Sequence, residues 1–226
     1  MSFFATLTED GSYALTGAGY TAVIVLIIVL VIAACFFTPS SEDNMKTGTR
    51  KLIFAAMAMA LAFVTSFISL LRMPMGGYVS LFSMFFITLI GYWYGLRTAL
   101  IAGFAYGLLQ FVVDPYILSI PQVLCDYVLA FGALGLSGLF HDSPHGMGKG
   151  YLVGVFGRFI FAFLSGVIFF GDYAPEGMNP AIYSFVYNGT YIFTEAGITF
   201  IIIMIPAVTK ALATVKKLAL AQPNEG

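Results

Sequence analysis

Charge is what this sequence has least of. Only 9% of its 226 residues are Asp, Glu, Lys or Arg, while 60% are apolar. An ordinary soluble domain carries about 25% charged residues, so the composition excludes one and points to an integral membrane protein. The net charge of −1 gives no bulk attraction to nucleic acid. Cysteine is scarce as well: Cys35 and Cys125 lie in apolar stretches without metal-ligand spacing and read as small buried thiols. HExxH, GxSxG and a Gly-rich phosphate loop are all missing, which removes the common hydrolytic and nucleotide-binding signatures. His141 and His145 sit beside Asp142 in a polar loop, where solvated side chains are a plainer reading than a metal site. With no room for a nucleotide-hydrolysing domain, energised work needs an ion gradient or a separate subunit.

What is present is a series of apolar runs, each long enough to cross about 30 Å of hydrocarbon. Tyr20 to Phe37 is the first, read as a retained helix because no basic segment precedes it as in a signal peptide. Lys51 to Leu71, Val79 to Tyr94, Leu96 to Val113, Ile117 to Phe140, Tyr151 to Phe170 and Ala181 to about Val208 follow. The third and fourth are joined tightly around Gly95. The pattern predicts an all-α integral membrane protein of seven helices. Lys46, Arg50, Lys51, Arg97, Lys149, Lys210, Lys216 and Lys217 then share one side, while the other side holds Arg72 with Glu9, Asp10, Asp114, Asp172 and Glu176. By the positive-inside rule the basic side is cytoplasmic, with the N-terminus outside and the C-terminus inside. Absence of an internal repeat disfavours an inverted-repeat carrier.

Asp126 is the most informative residue. A carboxylate inside a membrane span costs about 2.5–3.5 kcal/mol on insertion scales, so it marks a partner or a function. It lies in the outer half of its span, at a depth similar to Asn188, with Tyr106 on the neighbouring helix and Tyr78, Tyr116, Tyr173 and Tyr183 at the outer loops. Aromatic walls with one carboxylate and one amide suit a flat, partly cationic heterocycle. For the tyrosines, an interfacial belt is the alternative reading. Arg158 and Glu195 are expected to form an ion pair in the inner half, the alternative being a second ligand carboxylate or a proton site. Alanines four apart around Ala56 and Ala60 form a smooth helix face that permits close helix approach.

Four stretches carry a family resemblance: Met73 to Gly77, Gly103 to Gln110, Pro121 to Gly135 and Tyr183 to Gly189. From about Lys51 to Lys217 the chain resembles the ThiT/YuaJ family, the thiamine-specific S-components of energy-coupling-factor (ECF) transporters. The resemblance implies a six-helix substrate-binding bundle over residues 51–217, an extension over 1–50 carrying the extra helix, and a polar tail over 218–226. It implies a bacterial, multi-pass cell-membrane protein that binds thiamine from outside and works with an ECF transmembrane coupling subunit and ATPase subunits. It implies no enzyme activity and no cofactor.

By matching position, Asp126 takes the place of a family glutamate that binds the aminopyrimidine ring, and Tyr127 follows it. Asn188, Tyr183 and Tyr116 match pocket residues. Tyr106 stands where a tryptophan can occur, Phe170 where a tryptophan stacks on the ligand, and Ala162 where a histidine can point into the site. Tyr78 is a further match in a loop of different length. Ala56 and Ala60 match the small pair that docks against the coupling subunit. The departures at Asp126, Phe170 and Ala162 also suit a related heterocycle, such as a thiamine precursor or a B6 vitamer. A solitary proton-coupled carrier using Asp126, Glu195 and Arg158 is the alternative from another class. Asp126→Ala is expected to cost at least about 2 kcal/mol of ligand binding by leaving buried donors unpaired. Calorimetric titration checks this, and an unchanged affinity removes Asp126 from the site.

Overall fold

A computed structural model describes residues 5–7, 13–22, 25, 42–74 and 76–221. Most of the expected first span, Tyr20 to Phe37, lies outside the described residues. Strands β1 (Ala5–Leu7) and β2 (Tyr13–Leu15) pair antiparallel near the N-terminus. The remaining elements are α1 (Glu42–Ser66), a hairpin of β3 (Ser69–Arg72) and β4 (Tyr78–Ser80), α2 (Ser83–Val113), α3 (Ile120–Phe140), α4 (Gly146–Phe169), α5 (Pro180–Ile203) and α6 (Pro206–Leu220). Five helices among the described residues are long and apolar enough to cross a membrane. The chain is therefore a multi-pass, essentially all-helical membrane protein.

The sequence reading placed six spans over the same stretch. The two counts differ only at α2, which is counted as one element although its helix is broken at Gly95, where φ is 77° and ψ −176°. Only glycine adopts that conformation without strain, so the helix is interrupted there, and residues 83–94 and 96–113 lie on either side of the break, as the expected third and fourth spans do. The expected second span also ends early. α1 stops at Ser66, where the hydroxyls of Thr65 and Ser66 bond back to the carbonyls of Leu61 and Phe63. Such back-bonding gives the chain an alternative to continuing the helix. Leu71 then lies in β3, and the loop expected from Arg72 to Tyr78 is the tight end of a hairpin.

The last span is shorter than expected as well. It stops at Ile203, short of Val208, and Pro206 opens a separate helix. Proline lacks an N–H and its ring clashes with the preceding turn, so the apolar run cannot continue as one rod. α6 folds back over the end of the bundle that carries the basic residues. The Arg50 guanidinium donates to the Ala221 carbonyl at 2.6 Å, and the Tyr94 hydroxyl to the Ala219 carbonyl at 3.3 Å. The Lys216 ammonium donates to the His141 carbonyl and lies over the Tyr92 ring.

Helix contacts are made by small residues, as expected where lipid supplies no hydrophobic drive between helices. α2 meets α3 through Gly103 and Gly107 on one side and Gly132, Gly135 and Gly138 on the other. The spacing on α3 is three because Leu134–Phe140 is a 3₁₀ helix, in which residues three apart eclipse. A Cβ at Gly103 would come within 2.7 Å of the Phe131 carbonyl oxygen, and one at Gly107 would collide with the carbonyl of Tyr127. Gly107→Ala is expected to cost about 1–3 kcal/mol through overpacking. Gly197→Ala, which meets nothing within 4 Å, is the matched control with little loss. Thermal unfolding in detergent separates them, and equal midpoints would contradict this packing.

Candidate functional site

Three helices and two loops enclose a cavity of about 410 Å³. Each helix contributes a stripe at one residue per turn, which is the spacing that keeps side chains on one face. α3 presents Gln122, Asp126 and Ala130, with Tyr127 and Phe131 beside them. α4 presents Arg158, Ala162 and Gly166, and Phe170 follows at its end. α5 presents Tyr183, Tyr187 and Tyr191, flanked by Ser184 and Asn188. Tyr116 and Tyr173 complete the lining from the loops before α3 and α5.

Asp126 lies in a π-helical stretch, Leu124–Leu129. A π turn inserts an extra residue into the helix, and such insertions recur at functional sites. The Gln122 amide donates to Asp126 Oδ2 at 2.7 Å and accepts from the Leu118 N–H at 3.0 Å. Gln122 is almost wholly buried, so it sets the carboxylate from one turn away. The Tyr127 hydroxyl donates to the Asp114 carbonyl at 2.7 Å and accepts from the Tyr116 N–H at 3.0 Å. One phenol thereby fixes the loop that carries Tyr116. Tyr116 stacks on Phe170 at 5.8 Å and its hydroxyl meets that of Tyr173 at 2.7 Å. These three rings roof the cavity.

Asn188 is buried, and its amide group donates to the Ala162 carbonyl at 3.2 Å and to the Ser184 carbonyl at 3.1 Å. Its oxygen accepts from the Tyr191 hydroxyl at 3.1 Å. Asn188 thus ties α5 to α4 and orients Tyr191 at the same time.

Six of the eight expected site residues line this cavity: Asp126, Tyr127, Asn188, Tyr183, Tyr116 and Phe170. Tyr106 does not. It stands behind Phe131, edge-on at 5.3 Å, and its hydroxyl donates to the Ala62 carbonyl of α1 at 3.1 Å. Tyr78 is half exposed on β4 and faces a second pocket with Arg72, Gly76 and Gly77. Gln122, Phe131, Ser184, Tyr187 and Tyr191 are lining residues that the sequence reading did not single out. The repeat Tyr183, Tyr187, Tyr191 was a usable signal, being one aromatic per turn on one helix face. Ala56 and Ala60 are exposed on α1, whereas Ala58 and Ala62 are buried against the chain.

The expected Arg158–Glu195 ion pair is not formed. His141 Nδ1 and Asp142 Oδ2, 2.8 Å apart in a loop at the basic end and ionic only with the imidazole protonated, make the one such contact among the described residues. No group of His, Cys, Asp and Glu able to hold a metal occurs among them. Glu195 is buried and accepts from Ser80 Oγ at 2.8 Å, Ser83 Oγ at 3.1 Å and the Met84 N–H at 3.2 Å. The reason lies at the start of α2. Its capping position is Phe82, in a left-handed conformation and with no side-chain cap. The exposed N–H groups of a helix start need an acceptor, and their partial positive charge favours a carboxylate. Glu195 is that cap, supplied by another helix.

The hairpin follows α5 down to this point. Gly76 (φ 101°) lies against the Tyr187 ring and Gly77 (φ 78°) against the Tyr191 ring, where an added Cβ would come within 2.9 and 3.0 Å. Glu195→Ala is expected to cost roughly 2 kcal/mol or more of stability, since it orphans several buried donors at once. Glu195→Gln keeps an accepting oxygen and loses less. Unfolding midpoints in detergent check the order, and a wild-type midpoint for the alanine variant would contradict the capping role.

Comparison with known proteins adds a family. The family described as "Thiamine transporter protein (Thia_YuaJ)" matches residues 52–215. The thiamine transporter ThiT of Bacillus subtilis (strain 168) is 36% identical over 157 residues, covering 62% of this chain and 81% of that protein. ThiT of Lacticaseibacillus paracasei is 29% identical over 170 residues, covering 67% and 81%. A solved structure of ThiT from Listeria monocytogenes superposes with a TM-score of 0.63 at 28% identity, covering 80% of this chain and all of that one.

Proposed function

The chain belongs to the Thia_YuaJ family of thiamine transporter proteins, and on that premise we propose that it is a membrane binding subunit that captures thiamine. The observation that carries this reading is a single carboxylate, Asp126, set by Gln122 inside a cavity roofed by Tyr116, Phe170 and Tyr173. Thiamine offers an exocyclic amine for the carboxylate and a cationic ring for the aromatic faces. Asp126 and Gln122 read the aminopyrimidine, while Phe170, Tyr116, Tyr183 and Tyr187 enclose the rings. Tyr127 and Asn188 hold the walls that bring these groups together. The chain is a carrier of its ligand and not an enzyme.

Orientation follows from charge. The end bearing Arg50, Lys51, Arg97, Lys149 and Lys216 faces the cytoplasm, and the opposite end, with Tyr116 and Tyr173 over the cavity, faces outside. Delivery inward falls to an ATP-driven coupling module that meets α1 at Ala56 and Ala60. The exposure of both alanines beside Leu52, Ile53 and Met57 supports that face. The proton-carrier alternative loses ground, because Glu195 is engaged as a helix cap and makes no close ion pair with Arg158. A thiamine precursor or a B6 vitamer remains the competing ligand for a shortened carboxylate.

Calorimetry with the purified chain tests the ligand. Trp93, the sole tryptophan, lies outside the cavity lining, so tryptophan fluorescence is a poor reporter. Thiamine is expected to bind at least about tenfold more tightly than a pyridoxine or aminopyrimidine competitor, a gap of about 1.4 kcal/mol. Tighter binding of a competitor would overturn the thiamine assignment and keep the class. Ala56→Trp and Ala60→Trp are expected to bind thiamine normally and to abolish its uptake by cells. Surviving uptake would move the docking face elsewhere.

A further inference from the structure

We propose that the pocket between the end of α1 and the hairpin holds the phosphate headgroup of an anionic phospholipid, with Arg72 as its anchor. The site is separate from the thiamine cavity, and the proposal does not depend on what that cavity binds. The pocket encloses about 410 Å³ and shares no lining residue with the cavity. The hairpin tip divides the two. Gly76 and Gly77 line the pocket on one side, and on the other they lie against the rings of Tyr187 and Tyr191, which line the cavity.

The depth of the pocket follows from α1. Its membrane-spanning part, Gly48–Ser66, is about 28 Å long at 1.5 Å per residue, close to the full hydrocarbon thickness. Ser69–Arg72 follows at once, so β3 lies at the boundary where lipid phosphates sit, in the outer leaflet by the orientation above. All four of its residues are exposed. Phe67, Ile68, Leu70 and Leu71 are 45–61% exposed beside the pocket. Such a patch marks a contact with lipid or a partner, and at this depth acyl chains meet it. Arg72 stands among these side chains and is the one basic residue on this side of the membrane. Its guanidinium and the Ser69 hydroxyl make no hydrogen bond or ion pair among the described residues.

A β-bulge brings both groups to the pocket. By strict alternation Ser69 and Arg72, three apart, point to opposite faces of a strand. Leu70 is an extra residue between the pairs Ser69–Ser80 and Leu71–Val79, and it resets the alternation. Ser69 and Arg72 therefore both line the pocket, and Tyr78, which pairs with Arg72 across the hairpin, lines it too. A guanidinium, an aliphatic hydroxyl and a phenol are three donors in one place. The planar fork of Arg72 fits two phosphate oxygens at once. No carboxylate lines the pocket to receive an ammonium, so an anionic headgroup is favoured over a zwitterionic one. The exposed apolar residues around it favour a lipid phosphate over a free one.

The test is photo-crosslinking on the purified full chain in phosphatidylcholine nanodiscs. These contain a trace of phosphatidylglycerol with a diazirine near its headgroup, and labelled peptides are mapped by mass spectrometry. Label is expected on residues 66–78. Unlabelled phosphatidylglycerol is expected to lower it about fivefold or more at a ratio where added phosphatidylcholine does not. Arg72→Gln is expected to lower it by a similar factor, and Arg72→Lys, which keeps the charge and loses the fork, by less. Label near Lys210 and Lys217, at the other membrane face, is expected to stay unchanged and serves as the internal control. The competition arm uses the wild-type chain and stands without any variant. Absence of label on residues 66–78, equal displacement by phosphatidylcholine, or full labelling of Arg72→Gln would overturn the site. Displacement by inorganic phosphate alone would make it a free-anion site and overturn the lipid assignment.

Discussion

The structure depends on one hydrogen-bonding constraint: a helix that begins inside the bundle must have its first N–H groups satisfied there. α2 begins beside Glu195, and its arm toward Gly95 is only 12 residues long, too short to cross a membrane alone. The rest of that path is made by strand β4, where Val79 and Ser80 are buried. Non-helical backbone at such depth is tolerated only when protein encloses it. α5 encloses it, through Tyr187 and Tyr191 against the hairpin glycines and through Glu195 against the helix start. The same helix face therefore holds the hairpin and lines the cavity.

That shared use explains the division of labour among polar residues. Glu195, Asn188 and Tyr127 each bond at least one backbone group of another element, and so fix α2, α4 and the loop before α3. Gln122 spends one bond on a backbone amide and one on Asp126, which joins the frame to the site. Asp126 stands at the cavity wall with capacity left for a ligand. Two carboxylates of similar cost in a membrane thus serve opposite ends. One closes a helix and the other waits for cargo.

Much of this was legible in the sequence. Apolar runs gave the membrane class and most span boundaries, and the isolated charge at Asp126 led to the cavity. Gly95 was visible as a joint, and its positive φ is what breaks the helix there. Pro206 was visible too, but the apolar residues around it masked the break. The role of Glu195 was out of reach, because its partners Ser80, Ser83 and Met84 are more than 100 residues away in the chain. Charge alone suggested Arg158, and only the strand dipping alongside α5 supplied the competing donors. Tyr106 failed for a similar reason. Its helix position was right, but Phe131 stands between it and the cavity.

The central claim is that the cavity beneath Tyr116, Phe170 and Tyr173 is where thiamine is held, with Asp126 as its reader. A structure of the thiamine complex at side-chain resolution tests this most directly. The account predicts the aminopyrimidine amine at hydrogen-bond distance, about 2.7–3.2 Å, from the Asp126 carboxylate, with the rings under the aromatic roof. Thiamine seated instead in the shallow pocket beside Arg72 and Tyr78, or held with its amine away from Asp126, would contradict it.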